Sequence, residues 1–352
     1  MKHSESPSNI YQIEKTESHP APKFGRIGVV LVNLGTPDGT DYWSMRKYLS
    51  EFLSDTRVIN LPKLLWQPLL QGIILSTRPT RSGKAYRSIW NNEKDESPLK
   101  TITRAQCEKI SARLSEAHPD IAVTWAMRYG NPSIKSAIDK LSAQGCSKIL
   151  FFALYPQYSA TTTASVFDKA FEHLKTMRWQ PAIRTSSPWY DRDDYIDVLA
   201  ASVNSKLATL DQPPEYILTS FHGLPQKYLE KGDPYHCMCV KNSRLLQERL
   251  NWPKEKWLTT FQSRFGPAKW LQPYTEPALI ELAQKGVKRV AILSPAFVSD
   301  CIETLEELSI EAKNAFLEHG GEAFTYIPCL NDEDAHMDLL TGYIQQELQG
   351  WI

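Results

Sequence analysis

What most constrains this chain is a series of short β-rich runs, the most apolar of which carry no alternating polar positions. Ile27-Gly-Val-Val-Leu-Val-Asn33 is the first. A strand with one wet face alternates, whereas a continuous apolar run suits a parallel strand buried on both faces. Further runs follow at 121–127, 148–154, 182–185, 216–221, 257–262, 289–293 and 323–327. Helical spacing separates them, as at Met45, Leu49 and Phe52, over 99–117, and at Val166, Ala170, Phe171 and Leu174. This alternation predicts parallel α/β sheets. The plan also occurs twice. Pro132, Gly145, a strand and Pro156 are echoed by Pro277, Gly286, a strand and Pro295, with proline opening each helix and glycine closing it. Two similar halves meeting near Pro188 would leave a cleft between them, lined by strand ends from both. A C-terminal helix, about 332–350, is expected to fold back onto the first half.

At 352 residues the chain suits two domains. Forty basic and forty acidic residues cancel to a formal net charge of zero, so there is no basic excess to hold a phosphate backbone, and nucleic acid is not an expected partner. No run reaches the roughly eighteen uninterrupted apolar residues of a membrane span. Six cysteines, at 107, 146, 237, 239, 301 and 329, follow no secretory signal and imply free thiols in a reducing compartment. The polar stretch Met1–Ala21, with Glu5, Glu14 and Glu17, fits neither a signal peptide nor an acid-poor transit peptide and is expected to be a flexible arm. Ten Trp and fifteen Tyr suit contact with a large flat apolar ligand, although an aromatic core uses the same residues.

Val58–Leu75 is apolar yet carries Pro62, Lys63 and Pro68, which rule against one straight helix. A lip over a pocket, a membrane-surface contact or an irregular piece of core would each satisfy that pattern. Basic residues Arg78, Arg81, Lys84 and Arg87 follow.

Chemistry in an open α/β sheet sits beyond the carboxyl ends of its strands. Those ends offer Asn33-Leu-Gly-Thr-Pro37, Arg128-Tyr129, Tyr155-Pro-Gln-Tyr158, Ser220-Phe-His-Gly-Leu-Pro225 and the stretch from Ser294 to Glu307. His222 is placed to act as a base or a metal ligand, though a lone strand-end histidine serves equally as a packed or capping residue. Imidazole nitrogen and carboxylate oxygen from adjacent strand ends would together suit a borderline divalent ion such as Fe²⁺. The chain contains no G-x-S-x-G, no G-x-G-x-x-G and no G-x-x-x-x-G-K-[ST], so hydrolase, dinucleotide and P-loop chemistry are unsupported. Glu303, Glu307 and Glu311 stand at i, i+4 and i+8; in a regular helix they would form a solvated face opposite Ile302, Leu305, Ser309, Ala312 and Phe316. His236-Cys237-Met-Cys239 is incomplete as a zinc site.

Six motifs in order are more specific than any one. Val-Leu-Val-Asn-Leu-Gly-Thr-Pro (30–37), Tyr-Pro-Gln-Tyr-Ser (155–159), Ser-Phe-His-Gly-Leu-Pro (220–225), Lys-Gly-Asp-Pro-Tyr (231–235), Phe-Gln-Ser-Arg-Phe-Gly-Pro-Ala-Lys-Trp-Leu (261–271) and Phe-Val-Ser-Asp-Cys-Ile-Glu-Thr-Leu-Glu-Glu (297–307) resemble the ferrochelatase family across 25–345. The resemblance implies two Rossmann-like domains, each a four-stranded parallel sheet flanked by helices. The first would span 22–188, with a lip over 58–97 and the C-terminal helix 332–352 added to it; the second would span 189–331. The implied reaction is insertion of Fe²⁺ into protoporphyrin IX, the last step of haem synthesis.

Carried over position by position, the family's catalytic histidine falls on His222, its catalytic glutamate on Glu303, and the acidic residue one turn further on Glu307. His222 and Glu303 are the expected metal contacts; Leu34, Arg78, Tyr86, Ser97, Arg128 and Tyr129 are the expected porphyrin contacts. The resemblance also widens the helix after Ile302 into a π-bulge, turning Glu303 and Glu307 inward but not Glu311. Cys301 stands where the family often has histidine. No cofactor beyond substrate Fe²⁺ is expected, because the cysteines of a [2Fe–2S] cluster lie, in members that carry one, at or beyond the C-terminal end of the core, where this chain has only Cys329. Further expectations are a cytoplasmic location, peripheral contact with the inner face of the membrane through 58–75, and contact with the preceding haem-pathway enzyme. A coproporphyrin III ferrochelatase or a cobalt or nickel chelatase would share the fold. A non-catalytic porphyrin or haem carrier would not need His222 paired with Glu303.

Overall fold

The computed structural model describes residues 24–352, so the expected arm at 1–21 lies outside the described residues. Two four-stranded parallel sheets form the frame. In the first, β1 (Arg26–Thr36), β2 (Ile121–Gly130), β3 (Cys146–Ala153) and β4 (Ala182–Thr185) lie in the order β2-β1-β3-β4. In the second, β5 (Tyr216–His222), β6 (Trp257–Gln262), β7 (Arg289–Leu293) and β8 (Ala323–Tyr326) repeat it as β6-β5-β7-β8. The apolar runs are the central strands: Val29 to Val32, Ile217 and Leu218 are completely buried. Pairing runs in step from Ile217↔Trp257 to His222↔Gln262, which sets the last residues of β5 and β6 side by side. With the first strand central, the winding direction reverses beside β1 and β5, where the crevice of such a sheet opens.

The helices of the first half are α1 (Tyr42–Leu53), α2 (Lys63–Leu69), α3 (Leu75–Ile89), α4 (Pro98–Ala117), α5 (Ile134–Ala143) and α6 (Ser165–Leu174). Then come α7 (Asp193–Leu207), α8 (Gln226–Glu230), α9 (Tyr235–Arg249), α10 (Thr275–Gln284), α11 (Lys313–Glu318) and α12 (Asp334–Glu347). Capping follows composition: Asp41 accepts from the N–H groups of Trp43 and Ser44, and Ser133 from that of Ser136. One hydrophobic cluster joins the halves, bringing Val29 and Leu31 of β1 together with Ile217, Ala291 and Leu293 of the second sheet and Met337, Leu340 and Ile344 of α12. Arg113 of α4 also holds α12, through Asp334 at 2.9 Å and Asp338 at 2.7 Å.

The segment 58–75 is not one straight helix, as its prolines predict, but it is more regular than an irregular piece of core. From Lys63 it is helical, passing from α2 through a π-helical turn at Leu70–Ile74 into α3. Two prolines, Pro68 and Pro79, lie inside these helices. A proline removes a donor and clashes with the carbonyl four residues earlier. The Leu75 carbonyl, turned away from Pro79, accepts instead from the Tyr42 hydroxyl at 2.9 Å and from Arg46 Nη1 at 2.7 Å. Those partners sit on α1, so the local sequence gives no sign of the compensation. Leu70 and Leu75 face inward, while Leu64 and Leu65 are 91% and 75% exposed.

Candidate active site

A cavity of about 1290 Å³ opens between the carboxyl ends of the two sheets. Leu34, Tyr48, Phe52 and Trp66 give it an apolar wall from the first half; His222, Gln262, Trp270, Glu303 and Glu307 face it from the second.

His222 ends β5, and the backbone beside it is pressed close. Gly223 N–H donates to the Gln262 carbonyl at 2.8 Å, extending the β5–β6 pairing by one residue. A Cβ on Gly223 would stand 2.7 Å from that carbonyl oxygen and 3.1 Å from the Trp270 ring, so only glycine fits. The close approach presents the Gly223 carbonyl to His222 Nδ1 at 2.7 Å. A carbonyl can only accept, so Nδ1 carries the hydrogen and Nε2 keeps its lone pair.

Glu303–Ala312 is π-helical and runs on into α11. Its buried residues are Thr304, Leu308 and Ala312, followed by Phe316, a spacing of four throughout. The wider turn rotates the helix relative to the α-helical expectation, leaving Ile302, Leu305 and Ser309 only partly covered and bringing Glu303 and Glu307 to the cavity. Glu311 is exposed, although it too borders the cavity. Burial, and then repulsion from Glu307, push the Glu303 carboxyl above its usual range, while His222 pulls the other way. Burial also raises Glu307, opposed by hydrogen bonds from Ser263 and Gln262. Glu306, beside them, is pushed up to about 7 by burial and by Glu311 and Glu307.

The Gln262 side chain organises this corner. Its Nε2 donates to the Glu303 carbonyl oxygen at 2.7 Å and to Glu307 Oε2 at 3.0 Å, while its Oε1 accepts from Ser220 Oγ at 2.7 Å. Ser263 Oγ donates to the same Glu307 oxygen at 2.5 Å. Ser220, further engaged with Thr275 Oγ1 at 2.8 Å, has no free hydroxyl for nucleophilic work.

Of the porphyrin contacts expected from sequence, Leu34 and Arg78 line the cavity, and Arg78 lies over the Phe265 ring at 5.3 Å. The other four do not border it. Tyr86 is buried edge-on to Tyr48, with ring centres 6.4 Å apart. Ser97 caps α4, accepting from the Lys100 N–H at 3.3 Å. Arg128 donates to Ser165 Oγ at 2.6 Å and to Asp55 Oδ2 at 2.5 Å, and the Tyr129 hydroxyl donates to the same Asp55 oxygen at 2.8 Å. Arg128 and Tyr129 therefore join the chain just past α1 to β2 and the start of α6, and the guanidinium is already neutralised. Gln262, Ser263, Trp270, Tyr48 and Phe52 escaped the sequence reading. Gln262 could have been found, since it ends β6 just as His222 ends β5.

Among the described residues, no three or more His, Cys, Asp or Glu side chains are gathered as a metal cage, and no helix is long and apolar enough to cross a membrane.

Residues 26–348 match the ferrochelatase family. A ferrochelatase of Agrobacterium fabrum is 58% identical over 335 residues, covering 95% of this chain and 97% of its own. One from Rhizobium meliloti is 55% identical over 340 residues, covering 97% and 100%. Among solved structures, SirB from Bacillus subtilis with Fe³⁺ is similar in fold, with a TM-score of 0.55 at 12% identity over 92% of this chain and 96% of that one. With that identity extending over nearly the whole of both chains, this chain belongs to the ferrochelatase family, lyases that insert iron into a porphyrin.

Proposed function

We propose that the chain inserts Fe²⁺ into protoporphyrin IX, that His222 accepts the pyrrole protons, and that Glu303, with Glu307 next to it, shares in handling the metal and the protons. The placement of the cavity's cations carries the choice of porphyrin. They are Arg78, Arg81, Lys227 and Arg264. Arg78 rests over Phe265 and repels Arg81, so these two make one cationic edge, while Arg264 lies over the Tyr274 ring. Arg128 is taken up by Asp55. One cationic edge suits a macrocycle whose two propionates share an edge. The four propionates of coproporphyrin would press unpaired carboxylates against the apolar wall of Leu34, Tyr48 and Phe52, at a high desolvation cost.

Two N–H protons must leave as the metal enters. His222, whose Nδ1 is engaged by the Gly223 carbonyl, presents Nε2 as the acceptor for such a proton. The raised Glu303 carboxyl beside it can hold a proton that an ordinary glutamate would release. Contact with the apolar wall supplies binding energy for bending a flat ring so that its nitrogens turn toward the metal.

The same reading assigns no resident cofactor and no [2Fe–2S] cluster. Five of the six cysteines are buried, and a visible cluster absorbance in purified protein would contradict this. The exposed leucines of α2 support peripheral membrane contact, which vesicle co-sedimentation of Leu64→Glu against the unaltered chain tests. The central experiment is anaerobic incubation with Fe²⁺ and either protoporphyrin IX or coproporphyrin III, following loss of free-porphyrin fluorescence. Protoporphyrin should be the faster substrate, and His222→Ala should still bind it without metallating it. Faster coproporphyrin turnover, preference for Co²⁺ or Ni²⁺, or normal turnover in His222→Ala would each overturn the corresponding part.

A further inference from the structure

Two motifs, 155–159 and 231–235, take no part in the chemistry above, yet they meet. Asp233 lies between α8 and α9 in the second half. Its Oδ2 accepts from the Ala160 N–H at 2.8 Å and from Ser159 Oγ at 3.0 Å, at the start of the helix that opens as a π turn at Ala160–Ala164 and continues as α6. Its Oδ1 accepts from the Tyr235 N–H at 3.0 Å, at the start of α9. One carboxylate thus accepts from the first N–H group of two helices from opposite halves, where both helix dipoles favour negative charge. A further contact lies alongside, from Tyr158 N–H to Met238 Sδ at 3.3 Å.

Both ends of this bridge lead to the cavity. On the second-half side, Tyr235 is buried and lines the cavity, as His222 does. On the first-half side, Tyr155, Gln157, Thr161 and Thr162 flank Ser159 and line the opposite wall. We propose that Asp233 is a positioning residue: it fixes the separation between the wall that carries His222 and the first-half wall against which the macrocycle is pressed. This rests on the porphyrin occupying the cleft as proposed above. A misplacement of about 1 Å between reacting groups can cost about a hundredfold in rate, so a loosened bridge should lower turnover more than binding.

The test compares Asp233→Ala, Asp233→Asn and Ser159→Ala with the unaltered chain, measuring kcat and KM for porphyrin metallation, thermal stability, and the out-of-plane bands of bound free-base porphyrin by resonance Raman. Asp233→Ala should lose at least about tenfold in kcat with KM changed less than about threefold, and its Raman bands should report a flatter ring. Asp233→Asn, which keeps both acceptor geometry and size at one oxygen, should recover part of kcat. Ser159→Ala, which leaves the Ala160 N–H bond in place, should lose less than either and keeps the comparison open if Asp233→Ala does not fold. Unchanged kcat in folded Asp233→Ala, or a kcat loss matched by KM with unaltered Raman bands, would overturn the proposal. An unaltered chain that metallates no porphyrin would instead overturn the functional reading beneath it.

Discussion

Replacing Gln262 with methionine probes how the carboxylates are held. The substitution keeps the length of the side chain and removes four hydrogen bonds, the longest of them from Ser294 Oγ at 3.5 Å. Ser220 Oγ retains Thr275 as a partner and is not orphaned. The Glu303 carbonyl and Glu307 Oε2 each lose a donor, the first a neutral bond of about 1 kcal/mol and the second a charge-assisted one of about 1.5–3 kcal/mol. The expected loss of unfolding free energy is therefore about 2.5–4 kcal/mol near neutral pH. The Gln262 bond is one of two that oppose the rise of the Glu307 carboxyl, so its removal moves that carboxyl higher still. The sign follows from linkage. Below the usual glutamate value of 4.5 the carboxyl is protonated in folded and unfolded chains alike, and the lost bond matters least. As pH rises through the folded-state value the ionised form must be accommodated without its donor, and the deficit grows. Urea unfolding at about pH 5 and about pH 8 should show the larger deficit at the higher pH, and the acid limb of kcat/KM should move upward. A deficit below about 1 kcal/mol at both, with the acid limb unmoved, would refute the role given to this amide.

Two further expectations concern the same corner. Glu306, pushed up to about 7 from 4.5, binds its proton more firmly when folded, so it costs stability as pH rises from about 4.5 through about 7. Glu306→Gln should raise the melting temperature at about pH 8 by an amount on the order of 1–2 °C and leave it unchanged near pH 4; an equal shift at both would show that the carboxyl is not raised. Gly223→Ala forces the Gln262 carbonyl or the Trp270 ring to give way, at about 1–3 kcal/mol, and should reduce kcat by about tenfold as the carbonyl that orients His222 moves. Full activity in a folded Gly223→Ala would mean that this carbonyl does not set the imidazole.

The strands were legible because burial on both faces strips parallel strands of polar alternation, and Val29 to Val32 have no reason to be anything but apolar. The helix through Pro79 was not, because the rule that proline breaks a helix counts the local loss and cannot see Tyr42 and Arg46, about thirty residues earlier, taking the freed carbonyl. Glu303 and Glu307 look solvated at 3.6 residues per turn and turn inward only at the π spacing, a choice enforced by tertiary packing. The bonds from Arg128 and Tyr129 to Asp55 were not legible, because Asp55 lies more than seventy residues away in sequence. The strand end made His222 a candidate and left a packed or capping role open; the amide of Gln262, at the next strand end, carried no such chemical signal.

The repeated strand order has a consequence for stereochemistry. β1 and β5 occupy the same central place in their sheets, yet they end in different chemistry. At β1, Asn33 spends its amide on Thr103 Oγ1 and on the Leu34 N–H. At β5, His222 keeps a free lone pair. A ring held between these two ends meets an acceptor on one face and an inert wall on the other. Protoporphyrin IX, the ring proposed above, has two enantiotopic faces, and a scaffold built from two like halves would still distinguish them, because only one half is armed.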